Sequence, residues 1–166
     1  KAPHRIHRLL PDAKLIVLLR DPVERALSQY FHSRRLGLED LPLEQALEAE
    51  VDRLSSGELV HVQEHSYVSR SRYLDQLDRY LNLYPEQQML VLQSETFFAN
   101  PSPAWRRIEA FLGLPSAPCP AGTPKANAGR GEANGVPEAI RIQLRQQLRT
   151  AALEVRQRYG FGWDWA

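Results

Sequence analysis

Two short, unbroken apolar runs constrain this chain most: Lys14-Leu-Ile-Val-Leu-Leu19 and Gln88-Met-Leu-Val-Leu92. Runs this short, without polar alternation, fit strands buried on both faces, as in a parallel sheet. Parallel strands cannot be joined by a tight turn and need a crossover, usually helical. The sequence between the runs is helical in pattern, so an α/β layer arrangement is the expected fold class. Two strands do not complete a sheet that is covered on both faces. The remaining strands are therefore expected upstream of Lys1.

Helix signals surround the runs. Pro3 to Leu10 reads as a short helix. Asp21 is a good N-cap and Pro22 a good first helical residue, so a helix is expected there, with Val23, Leu27, Tyr30 and Phe31 inward and Gly37 ending it. Leu43 to Leu54 reads as an acidic helix, followed by the breaker Ser55-Ser-Gly57. Arg70 to Tyr84 carries the stripe Tyr73, Leu77, Tyr80, Leu81 and Tyr84. Pro103 to Leu112 reads as a helix stopped by Gly113. A Pro-, Gly- and Asn-rich loop spans 115–135, and Pro137 to Tyr159 is the last helix, with Ile140, Leu144, Leu148, Ala152 and Val155 inward. The long loop is a candidate functional segment.

Charge narrows the function classes. The 166 residues carry a net charge of +1, which argues against a nucleic-acid partner. The charges are unevenly spread: residues 1–35 hold eight basic and three acidic residues, and residues 36–64 hold one and eight. Nearly all the basic residues are Arg, a residue suited to bidentate contacts with phosphate or sulfate. The single cysteine, Cys119, excludes a disulfide framework and a Cys-based zinc site. No apolar run is long enough for a transmembrane segment or a signal peptide, and a cytoplasmic setting is expected.

The corner after the first run carries the most chemistry. In open α/β sheets, ligands bind beyond the carboxyl ends of the strands, where Arg20 sits. Ser28 follows about two helical turns later, and helical side chains lean toward the N-terminus. An Arg guanidinium and a Ser hydroxyl beside a helix N-terminus could bind a phosphate. The same residues could equally be an ion-paired Arg and a Ser that fills a helix face. His61-Val-Gln-Glu64-His65 spells H-x-x-E-H, a pattern of zinc hydrolases, but no third ligand can be named. Polar loop histidines are the plainer reading.

Taken in order, these segments resemble PAPS-dependent sulfotransferases of the bacterial type related to the heparan sulfate enzymes (PAPS is 3′-phosphoadenosine 5′-phosphosulfate). Lys14 to Tyr30 is similar to that family's 3′-phosphate-binding segment, with Arg20 and Ser28 in the matching places. Ser71-Arg-Tyr73, Leu77 and Tyr80 resemble its Gly/Ser-x-Tyr helix. Leu83 to Glu95, Asn100-Pro101, Phe111-Leu-Gly-Leu114 and Phe161-Gly-Trp163-Asp164 follow in register. The resemblance implies a P-loop-like three-layer α/β fold with a parallel sheet, incomplete at the N-terminus. It implies one domain over residues 1–166, the C-terminal portion of the family's domain. It implies sulfuryl transfer from PAPS, leaving PAP, to an acceptor hydroxyl or amine, with a carbohydrate among the candidate acceptors. Arg20 and Ser28 would bind the nucleotide's 3′-phosphate. Lys125, Arg130 and Gly131, in Thr123-Pro-Lys-Ala-Asn-Ala-Gly-Arg-Gly131, would belong to the loop that closes over it. No metal is implied.

The family's 5′-phosphosulfate loop, a Gly/Ser/Thr-rich turn before a helix, has no counterpart in these 166 residues. That loop and the catalytic base are expected upstream of Lys1, and the chain alone is expected to be inactive. The alternatives are a degenerate PAP-binding domain without catalysis and a zinc hydrolase using His61, Glu64 and His65.

Overall fold

The computed structural model describes residues 2–120 and 131–166. The chain divides into two compact units. One comprises Lys1–Arg20 and Leu74–Ala126, the other Asp21–Tyr73 and Asn127–Ala166.

The first unit is built on a parallel pair, β1 (Leu15–Leu19) and β2 (Met89–Gln93), in register from Leu15 opposite Met89 to Leu19 opposite Gln93. Helix α1 (Ala2–Leu9) leads into β1. Gln88 fixes the start of the pairing, since its side-chain amide donates to the carbonyls of Pro11 (3.1 Å) and Ala13 (3.2 Å). The Tyr84 hydroxyl, deeply buried, donates to Leu10 O at 2.9 Å. Leu19, Val91 and Leu92 are buried. Within this chain Ile16 is 37% and Leu18 45% exposed. Side chains alternate across a strand, so Leu15, Val17 and Leu19 take one face while Ile16 and Leu18 share the open one.

Helices α6 (Ser94–Ala99) and α7 (Pro101–Leu112) follow β2. The short α6 is not legible in the sequence, and α7 begins at Pro101 rather than Pro103. Gly113 ends α7 with φ +74°, a conformation that favours glycine. Lys14 Nζ donates to Phe111 O at 2.6 Å, tying the end of α7 to the foot of β1.

The second unit is helical. It contains α2 (Pro22–Arg35), α3 (Leu43–Ser55), α4 (Leu59–Glu64) and α8 (Glu138–Tyr159). Helix α2 is apolar on two sides. Val23 and Leu27 pack with Val136, Ile140, Leu144 and Leu148, while Ala26 and Tyr30 pack with Ala46 and Tyr67. The stripe expected on α8 is buried throughout. Arg141 adds an ion pair from α8 to Glu24 on α2 and donates to Ala133 O at 2.7 Å.

Helix α5 (Tyr73–Leu81) starts three residues later than expected. Ser69–Ser71 form a 3-10 turn instead. Just ahead of that turn, the Glu50 carboxylate of α3 accepts the amides of Tyr67 (3.1 Å), Val68 (2.8 Å) and Ser69 (2.8 Å).

Candidate functional site

Arg20 is exposed and immediately follows β1. Asp21 then caps α2 as its residue type predicts: Oδ1 accepts the amides of Val23 (2.8 Å) and Glu24 (3.0 Å). Pro22 has no N–H, and Arg25 N donates to Asp21 O at 2.8 Å. The opening donors of α2 are thus used within the protein.

Ser28 is half-buried on α2, and among the described residues its hydroxyl makes no hydrogen bond. A serine merely satisfying its own helix would donate to a carbonyl one turn back. Arg20 falls in the first unit and Ser28 in the second. Lys125 and Arg130 lie outside the described residues. Gly131 has φ +86° and opens a 3-10 turn over Glu132–Gly135, which accounts for a glycine there without any ligand.

Several polar groups near this helix were not singled out by sequence. Arg25, three residues before Ser28, donates through Nη1 to the carbonyls of Ser66 and Tyr67, both at 3.0 Å. Burial lowers its pKa to about 10, with Arg70 adding to the effect and Tyr73 and Glu50 opposing it. It therefore remains a cation at neutral pH. Glu39 and Glu50 are 2% and 3% exposed. Glu39 is gripped by Arg53 at 2.5 and 3.2 Å and by the Leu41 amide at 2.9 Å. The one available signal was spacing: Glu50 lies four residues after the fully buried Ala46, on the inward stripe of α3.

The histidines of the H-x-x-E-H spelling are committed elsewhere. His65 is buried at the end of α4, and its Nε2 donates to Leu38 O at 2.9 Å. Its Nδ1 faces His61 Nδ1 at 3.1 Å, so the pair is hydrogen-bonded to itself. Among the described residues, no group of three or more His, Cys, Asp or Glu side chains is arranged to hold a metal ion. No described helix is long and apolar enough to cross a membrane.

A model of the sulfotransferase domain matches residues 2–127. The chain belongs to the sulfotransferase domain family. It is 35% identical over 116 residues to mouse heparan sulfate glucosamine 3-O-sulfotransferase 3B1, a match covering 69% of this chain and 28% of that protein. It is 30% identical over 113 residues to human bifunctional heparan sulfate N-deacetylase/N-sulfotransferase 2, covering 68% of this chain and 13% of that one. Its fold matches the crystal structure of a sulfotransferase from Alicyclobacillus acidocaldarius with a TM-score of 0.74 and 25% identity, over 98% of this chain and 61% of that one. The chain thus spans well under half the length of these curated relatives. The α/β sulfotransferase fold expected from the resemblance is the fold of this family member.

Proposed function

We propose that the protein containing this chain transfers a sulfuryl group from PAPS to a hydroxyl or amine of a carbohydrate. The observation that carries this reading is the Arg20–Ser28 segment of a sulfotransferase-family chain, with Arg20 exposed and the Ser28 hydroxyl unbonded among the described residues. These two side chains fit the 3′-phosphate of the nucleotide. The guanidinium supplies charge-assisted, bidentate donors, and the hydroxyl supplies one neutral donor. Arg25 adds a fixed positive charge on the same helix. Lys125, Arg130 and Gly131 belong in this reading to a loop that closes over the nucleotide.

PAPS, when bound, supplies the sulfuryl group. The residues of this chain act by holding the nucleotide end of that donor, which contributes orientation rather than proton transfer. The carbohydrate acceptor is supported by the relatives, whose names specify heparan sulfate.

Calorimetric titration of PAP, AMP and zinc into the chain tests the reading. PAP binding well above AMP binding, unaffected by zinc, is expected. Zinc binding without PAP binding would favour a hydrolase. PAP binding by a longer form of the protein that never sulfates a glucosamine-containing polysaccharide would indicate a binding domain without catalysis.

A further inference from the structure

The C-terminal tail returns to the turn that opens α2. Gly160 ends α8 in the left-handed region (φ +72°), and residues 161–166 follow. Trp163 is buried, edge-on to Phe161 at 6.2 Å and tilted against Tyr73 at 6.4 Å between ring centroids. Arg156 Nη1 donates to Ala166 O at 2.9 Å, tying down the last residue. Between these anchors, Trp165 packs against the core cluster that contains Val23 and Leu27. Its indole N–H donates to Asp21 Oδ2 at 2.6 Å.

Asp21 therefore uses its two oxygens differently. Oδ1 caps the first turn of α2 from within, and Oδ2 is held from outside that helix by Trp165. A charge-assisted bond of this length fixes the carboxylate plane and hence the direction of the cap. We infer that Trp165 is a positioning residue for nucleotide binding, setting through Asp21 the turn that Arg20 enters and from which α2 runs on to Ser28. The inference rests on the reading of Arg20 and Ser28 given above. Nothing in the local sequence of the corner marks Trp165, which reaches it only through the fold of the second unit.

The test uses the full chain and two variants. Trp165→Phe keeps aromatic packing and removes the N–H donor. Asp21→Asn keeps a good N-cap and removes the acceptor from the other side. Both are expected to speed backbone amide exchange at Val23 and Glu24. Both are expected to weaken PAP binding by about threefold to tenfold, the scale of one lost hydrogen bond. In an Arg20→Ala/Ser28→Ala background, Trp165→Phe should change the residual PAP affinity by less than about twofold, because both groups it positions are gone and coupled residues are non-additive. Unchanged PAP affinity in both folded variants overturns the inference alone. Equal losses in the wild-type and Arg20→Ala/Ser28→Ala backgrounds also overturn it, since general destabilisation would act on both alike. Failure of the wild-type chain to bind PAP overturns the nucleotide reading itself, and the role of Trp165 in binding with it.

Discussion

The Tyr67 hydroxyl donates to Glu39 Oε2 at 2.6 Å inside the helical unit. Arg53 and the Leu41 amide complete the set of donors around that carboxylate. Burial pulls the Glu39 pKa upward, but hydrogen bonds from Arg53, Tyr67 and Leu41 outweigh it and hold it at about 2. Burial, together with the Glu39 bond, pushes the Tyr67 phenol upward.

This network gives the unit an acid-sensitive stability. A carboxyl depressed in the folded state stabilises above its ordinary value of 4.5, and that contribution is lost as pH falls toward about 2. The urea midpoint of the wild type should therefore fall across this window. Glu39→Gln should cost about 1.5–3 kcal/mol at neutral pH, because Arg53 loses a charge-assisted bond, and should flatten the same window. A mutant as acid-sensitive as the wild type would show that other carboxyls set the profile.

Arg20→Ala should weaken PAP binding by about 1.5–3 kcal/mol, the scale of a hydrogen bond to a charged group. The side chain is exposed, so the fold should be retained. Calorimetry on wild type and variant checks this; equal affinities in two folded proteins would remove Arg20 from the site.

Ser28→Ala should lower PAP affinity by a few-fold to about tenfold and leave weak AMP binding alone, since one neutral hydroxyl contributes about 0.5–1.5 kcal/mol. Its melting temperature should hardly move, because Ser28 bonds no described carbonyl. An unchanged PAP/AMP ratio would rule out a role in recognising the 3′-phosphate.

The 166-residue chain by itself should transfer no sulfate. Its sequence contains no Gly-rich run followed by Ser or Thr ahead of a helix that could hold a 5′-phosphosulfate. A radiolabelled transfer assay showing turnover comparable with a longer relative would require that loop to be found within these residues.

What the sequence determined by itself was local. Asp21-Pro22 marks the start of α2 because a cap and its amides lie within three residues of each other. Gly113 and Gly160 stop their helices because each must enter the left-handed region. The stripe from Ile140 to Val155 announces α8 because helical period is written in neighbouring positions. The order of motifs from Lys14 to Leu114 was enough to indicate the family. Tertiary structure decided what depends on the path of the chain. Glu50 looks like one more acid of an acidic helix until the fold brings the amides of residues 67–69 onto it. Trp165 looks like a tail residue, yet its N–H closes on Asp21 from the far end of the chain. Such contacts join residues whose separation is closed only by folding, so no local pattern of charge or hydrophobicity encodes them.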